Sequence, residues 1–405
     1  MGEGSKPSAS FSARTAWRRD LGPFGLLAAA ARRSGGEVVD LTETNPTRCA
    51  LADTTALVAA LGDARGTAYD PTPLGLASAR AAVERYYRRR NAVVSPDQVL
   101  VTASSSESYS WLFKLLCDPG DAVLVPQPSY PLLPYLAELE SVELVSYRLV
   151  RDEGWRIDLG DVERVVEGHP RARVLVLVHP ANPTGSVVTT AEAEALDRLA
   201  RHHGLAVIVD EVFLDYRHGQ GASPGHRSFA GRDSEALRFV LSGLSKVALL
   251  PQVKLGWMVV GGPPAAQSEA LGRLEVIADS YLSVSTAAQL ATVPILDRVD
   301  ELQHHTRARL VRNLAALDGA LRASGTDCPV RRLPSDGGWV CLVEVPRTRT
   351  DDEWVARLVE QAAVLTQPGY LFDIEQPGTM VVSLLPEPAV FEAAIGRAVA
   401  CWAAG

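Results

Sequence analysis

Lysine is scarce in this chain: Lys6, Lys114, Lys246 and Lys254 are the only ones in 405 residues, and arginine supplies nearly all the other positive charge. Chemistry that needs an amine able to lose its proton therefore has few candidates. Cysteine is also sparse. Cys49, Cys117, Cys328, Cys341 and Cys401 are odd in number and scattered, with no CxxC pair, which argues against a disulfide framework and against a zinc site. No uninterrupted apolar run is long enough to cross a bilayer, and residues 1–12 are polar and Gly/Ser-rich without the apolar core of a secretory signal. A cytoplasmic protein is expected. The net charge of −8 argues against nucleic acid and anionic membrane as partners, which leaves small molecules. HExxH and GxSxG are absent. Gly219-Gln220-Gly221-Ala222-Ser223-Pro224 misses the dinucleotide fingerprint and follows no strand-turn-helix start, so a nicotinamide enzyme is disfavoured.

What is present is a long alternation of apolar strands and amphipathic helices. Hydrophobic residues make up 47% of the chain, enough to bury two cores at this length. Residues 16–33 carry helical spacing up to Gly35-Gly36. Strands are expected at Val99-Leu100-Val101-Thr102, Ala122-Val123-Leu124-Val125-Pro126, residues 143–149, Val174-Leu175-Val176-Leu177-Val178, Leu205-Ala206-Val207-Ile208-Val209, Phe239-Val240-Leu241 and Met258-Val259-Val260. Helices fall between them, including residues 77–90 and one opened by a Thr189/Glu192 capping box and ended by Gly204. Strands that are apolar throughout indicate a mostly parallel sheet covered by helices on both faces. From about Val276 the pattern turns helical and then α+β. The expected division is an N-terminal arm and small-domain segment (1–50), a large α/β domain (51–287) and a small C-terminal α+β domain (288–405).

The focus is Ser242-Gly243-Leu244-Ser245-Lys246, a lysine on a small-residue loop between two core strands. A partly desolvated lysine there can attack a carbonyl, whereas a merely structural one would pair with a carboxylate. Polar residues collect at the other strand ends. Ser104-Ser105-Ser106 opens a helix, where free N–H groups suit a phosphate, although serine caps helices without any ligand. Tyr130 follows a strand end, as a ligand contact or a packing partner. Asp210 ends an apolar strand and needs a cationic partner unless it caps a helix. Tyr69 either packs over its own loop or reaches outward. Arg48, beside the Asn45-Pro46 turn, either clamps an anion or is simply exposed.

Asn182 in Asn-Pro-Thr-Gly, Asp210, and Lys246 in Ser-Gly-Leu-Ser-Lys, in that order and spacing, resemble the class I/II, fold type I, pyridoxal-phosphate aminotransferase family over nearly the whole chain. The resemblance implies pyridoxal 5'-phosphate as cofactor, a Schiff base on Lys246, and a ring nitrogen kept protonated by Asp210. It implies that Asn182 reaches the ring phenolate, Tyr130 stacks on the ring, and Ser104, Ser105, Ser106 and Ser245 hold the phosphate. Tyr69 matches a tyrosine contributed from the neighbouring subunit, so a homodimer is implied. Gly337-Gly338 and Pro368-Gly369 match landmarks of the small domain.

Three positions depart from the pattern. Lys254 stands where an arginine is usual, Phe213 where a tyrosine donates to the phenolate, and Met380-Val381-Val382-Ser383 lacks the arginine that holds a substrate carboxylate. Arg48 is the substitute candidate for that carboxylate. The expected activity is transfer of an amino group from an amino acid or related amine to a 2-oxo acid or other carbonyl. The alternative is a specialised enzyme that uses the same cofactor for oxidation, elimination, substitution or carbon–carbon bond formation. A non-catalytic cofactor-binding regulator is a further reading, which the intact Asn182, Asp210 and Lys246 set disfavours.

Overall fold

The structure is a computed structural model in which residues 11–33, 38–218 and 228–405 are described. Lys6, the Gly35-Gly36 stop and the Gly219–Pro224 stretch lie outside the described residues. Eight strands form the large sheet: β1 (Val99–Thr102), β2 (Ala122–Gln127), β3 (Glu143–Val150), β4 (Arg156–Ile157), β5 (Ala172–Val178), β6 (Ala206–Asp210), β7 (Arg238–Gly243) and β8 (Gly256–Gly261). Their spatial order is β1-β8-β7-β6-β5-β2-β3-β4. From β7 to β3 the pairs are parallel. β8 lies antiparallel between β1 and β7, and β4 is antiparallel at the far edge.

The unbroken apolar runs follow from burial on both faces. Val174 and Val176 join one core cluster with Trp111, Phe113 and Leu274. Leu175 and Leu177 point the other way, to a cluster containing Val83, Val162 and Leu196. Successive side chains on a strand alternate faces, so a sheet with helices on both sides needs an apolar residue at every position. Because β1 and β7 both oppose β8, β1 shares the direction of the parallel strands. The C-terminal ends of β1, β2, β5, β6 and β7 therefore open on one edge, where sheets of this kind place ligands.

A second, four-stranded antiparallel sheet contains β9 (Arg331–Arg332), β10 (Val340–Glu344), β11 (Gln367–Pro368) and β12 (Thr379–Ser383), in the order β9-β10-β12-β11. The 25-residue helix Val299–Ala323 and the helix Pro388–Ala403 pack against one another beside it. The chain's early segment joins this part: Val39–Asp40 pairs parallel with Val364–Leu365, and the Ser383 amide donates to the Leu41 carbonyl at 2.7 Å.

Three local expectations are revised. The first helix is Pro23–Arg33 and leaves residues 16–22 outside it, because proline suits the first helical position and marks the start. An 18-residue helix, Pro264–Tyr281, begins well before the helical pattern expected from about Val276; only Ala270, Leu274 and Ala278 are buried in it, a stripe too narrow to show as amphipathic periodicity. Lys246 lies on a one-turn helix, Leu244–Val247, instead of a loop.

The two parts of the chain meet at the turn after β5. Gly185 has φ +70° there, and a Cβ on it would lie 2.5 Å from the Gly337 carbonyl oxygen. Its own carbonyl accepts from the Asp336 and Gly337 amides, both at 3.0 Å. Gly185→Ala is expected to lower stability by about 1–3 kcal/mol through backbone strain and this clash. Gly272→Ala, on the exposed face of a helix with nothing within 4 Å, is expected to raise stability by about 0.5–1 kcal/mol. Denaturant unfolding of the two variants checks both signs.

Candidate active site

The edge formed by the strand ends carries the chemistry. Asp210 closes β6, level with Val178 on one side and Leu241 on the other. One strand brings the lysine: β7 ends at Gly243, and Lys246 follows three residues later. The serine turn after β1 is seated by close backbone approach. A Cβ at Gly256 would lie 3.0 Å from the Ser104 carbonyl carbon and 3.1 Å from the Ser105 nitrogen. Only glycine at that position lets β8 and the turn meet as they do.

Ser104 caps the helix Ser105–Leu116, its hydroxyl accepting from the Glu107 amide at 3.1 Å. The N–H groups of Ser105 and Ser106 head that helix, where no intrahelical acceptor exists, at the positive end of its dipole. Ser245 lies on the lysine's own one-turn helix. Lys254 ends a short 3-10 turn with φ +56° and is exposed.

Burial pushes Lys246 and Asp210 toward neutrality from opposite sides. The Lys246 amine is held below its usual value by burial, with Asp210 partly opposing. The Asp210 carboxyl is pushed up to about 6 by burial, against the Val212 amide, the Tyr109 hydroxyl and Lys246. The predicted cationic partner is thus Lys246 acting through its field; among the described residues Asp210 forms no salt bridge. Val212 N–H donates to its Oδ1 at 3.1 Å and Tyr109 O–H to its Oδ2 at 3.3 Å. Lys246 Nζ sits 5.9 Å from the Phe213 ring centre and 5.5 Å from that of Trp339, and those two rings meet edge to face at 5.3 Å.

Tyr130 follows the end of β2 with 47% of its surface open. Burial, and next the Asp210 carboxylate, raise its phenol above the ordinary value, which places it within reach of Asp210's field. Asn182 stands in the turn after β5, partly exposed, with cis peptide bonds at Pro180 and Pro183. Lys246, Asp210, Tyr130 and Phe213 are therefore joined by direct contacts or fields, and Asn182 and the serine turn lie at neighbouring strand ends.

Two candidates stand apart. Tyr69 is 62% exposed and makes no hydrogen bond or ring contact among the described residues. Arg48 is exposed and lies 3.4 Å from Glu43 Oε2. Val381 is fully buried in β12, opposite Leu342, so that position offers no charge to a substrate. Sequence reasoning missed Tyr109 and Trp339. Only the position of Tyr109, shortly after the serine cap, hinted at the sheet edge.

A carboxyl with a raised pKa stabilises the folded state where it is protonated. The folded chain binds the Asp210 proton more tightly than the unfolded chain, where the carboxyl titrates near 3.8. Its contribution is full below that pH and is lost as pH rises toward about 6. In the cofactor-free protein Asp210→Asn is expected to remove this loss, gaining about 1–3 kcal/mol relative to wild type at pH 7 compared with pH 4. Unfolding curves at both pH values check it.

Comparison with known proteins gives the family. Residues 36–394 match the profile of aminotransferase class I and II. Human tyrosine aminotransferase is 27% identical over 347 residues, covering 84% of this chain and 74% of that protein. The glutamate-pyruvate aminotransferase AlaA of Escherichia coli is 30% identical over 218 residues, 54% of this chain and 53% of that one. Among solved structures, a Thermus thermophilus aspartate aminotransferase single mutant superposes with a TM-score of 0.83 at 25% identity, covering 97% of this chain and all of the other. Alanine aminotransferase from Pyrococcus furiosus gives 0.79 at 25% identity, over 92% and 94% of the two chains. This chain belongs to the class I and II aminotransferase family, and it is a pyridoxal-phosphate-dependent transferase of fold type I.

Proposed function

We propose that the chain transfers an amino group from an amino acid or related amine to a 2-oxo acid or other carbonyl acceptor, with Lys246 as the reactive amine and Asp210 as its counterpart. The observation that carries this is the pair itself: an amine held low and a carboxyl held high by burial at one strand edge, the arrangement in which one site runs both acid and base chemistry near neutral pH. The names of the relatives, which include tyrosine, alanine and glutamate-pyruvate aminotransferases, support an amino acid as donor.

The residues fit pyridoxal phosphate. Among the described residues the serine turn offers uncommitted N–H groups against a backbone approach that a Cβ at Gly256 would block, and Asp210 lacks an ion-pair partner, which a protonated ring nitrogen would supply. When bound, the cofactor supplies an aldehyde that takes up the amino group and a ring that draws electrons from the donor's α-carbon. Ser104, Ser105, Ser106, Ser245 and Lys254 would hold the phosphate, Asp210 would keep the proton on the ring nitrogen, Asn182 would donate to the ring oxygen, and Tyr130 would cover the ring face. Lys246 Nζ would hold the aldehyde, and its amine would serve as the base at the donor's α-carbon. Phe213 gives no hydrogen bond to the ring oxygen, which leaves Asn182 to do so.

The same reading includes a homodimer, with Tyr69 reaching the neighbouring site across a two-fold axis. Its exposed ring, together with exposed Tyr281 and Leu282, supports this. All five cysteines are free, which supports a reducing, cytoplasmic setting. Among the described residues no helix is long and apolar enough to cross a membrane. A second reading has one observation in its favour: buried Val381 leaves the substrate carboxylate without an arginine there, which suits a specialised reaction on a different substrate.

Borohydride reduction of the loaded protein followed by peptide mapping is expected to mark Lys246, and Lys246→Ala to lower turnover by about 10³-fold or more while folding normally. Marking of another lysine overturns the assignment. With a panel of amino acids, conversion of the visible band with release of a 2-oxo acid supports amino transfer; ammonia or peroxide as product supports the second reading.

A further inference from the structure

A four-residue helix is too short to satisfy its own ends, and in the one that carries Lys246 the Lys246 carbonyl accepts from the Leu249 amide only at a long 3.4 Å. Two buried side chains add shorter bonds at its last carbonyls. Tyr216 O–H donates to the Lys246 carbonyl at 2.5 Å, and Gln303 Nε2 donates to the Val247 carbonyl at 2.9 Å. Both side chains are almost fully shielded from solvent, so water cannot take their place at these carbonyls. Burial raises the Tyr216 phenol well above its ordinary value, which keeps it a donor at any working pH.

Gln303 is in turn completely committed. Its second Nε2 donation goes to Asp215 Oδ2 at 2.7 Å, and its Oε1 accepts from Arg90 Nη2 at 2.7 Å. Asp215 also accepts from Tyr86 O–H at 2.7 Å and from Arg90 Nε at 2.6 Å. Asp215 and Tyr216 are adjacent on the segment that follows β6, five and six residues past Asp210. Gln303 comes from the long helix Val299–Ala323, and Tyr86 from the helix Ala77–Arg88. A glutamine has two N–H donors, and here both are spent on fixed acceptors, so its rotamer and the carbonyl it holds are determined together.

We propose that Tyr216 and Gln303 are positioning residues for the active lysine: they fix the backbone carbonyls of Lys246 and Val247 and tie the one-turn helix, through Asp215, to two long helices. The proposal rests on the reading of Lys246 as the reactive amine. The side chain of Lys246 must bring Nζ within bonding distance of a carbonyl and later of a proton on carbon. Displacement of a reacting group by about 1 Å costs on the order of 10²-fold in rate. No residue of the network acts on Lys246 through charge, since Asp210 alone among neighbouring charges shifts its amine.

Tyr216→Phe and Gln303→Leu test this, with Thr306→Val as control. Thr306 is buried one turn from Gln303 on the same helix, and among the described residues its hydroxyl bonds only to the Leu302 carbonyl of that helix. In single-turnover amino transfer, both test variants are expected to lower the rate constant at least tenfold with KM within about threefold, while the control stays within twofold. In the cofactor-free protein, amide exchange is expected to quicken in residues 244–250 of both test variants. A purely structural role lowers the amplitude, because fewer molecules are active, and leaves the rate constant alone. Rate constants within twofold of wild type, with unchanged exchange in residues 244–250, overturn the proposal. If Gln303→Leu fails to fold because Asp215 and Arg90 lose a partner, Tyr216→Phe, which leaves their ion pair intact, decides the matter. Borohydride mapping of the wild type separates the two claims: a label elsewhere removes the reading of Lys246, whereas the exchange result still judges the carbonyl anchors.

Discussion

The structure depends on keeping an amine and a carboxyl buried within each other's field without letting them form a closed ion pair. Burial lowers the proton affinity of Lys246 and raises that of Asp210, and their mutual attraction only partly reverses either effect. A salt bridge at contact distance would restore both charges and occupy the groups. The aromatic seat of Phe213 and Trp339 beside Nζ, and the Tyr109 hydroxyl on Asp210, keep each group served by something other than its opposite. A cofactor with a basic ring nitrogen and an aldehyde meets both needs at once.

The scaffold that makes this possible is a sheet buried on both faces. Such a sheet presents polar groups only at its strand ends, and parallel strands put those ends on one edge. β8 contributes by running antiparallel: it turns β1 into the direction of the parallel set and brings the serine turn against Gly256. The small antiparallel sheet closes on the same edge through Gly337, which meets both the turn at Gly185 and the Tyr216 carbonyl. The Lys246 side chain thus lies beside Phe213, from the segment after β6, and Trp339, from the edge of the small sheet, and the backbone of its helix is held by Tyr216 and Gln303.

Much of this arrangement is legible in the residues. Apolar runs mark the long strands of the large sheet except Glu143–Val150, where exposed and buried residues alternate, the Thr189/Glu192 capping box forms as expected, and the order Asn182, Asp210, Lys246 names the family that the comparisons support. Less visible were elements whose burial is thin. The helix Pro264–Tyr281 shows one residue per turn to the core, and the lysine's four-residue helix is held by tertiary donors rather than by its own propensity.

By itself the sequence determined which segments are buried, which lysine is the candidate amine and which acid ends the strand before it, because periodicity and charge are properties of neighbouring residues. Tertiary structure alone decided what those groups touch. Tyr109 meets Asp210 across 101 residues and Gln303 meets the Val247 carbonyl across 56. Such meetings depend on strand order and on the direction of β8, and local pattern carries neither: an apolar strand reads the same whichever neighbour it pairs with and whichever way it runs.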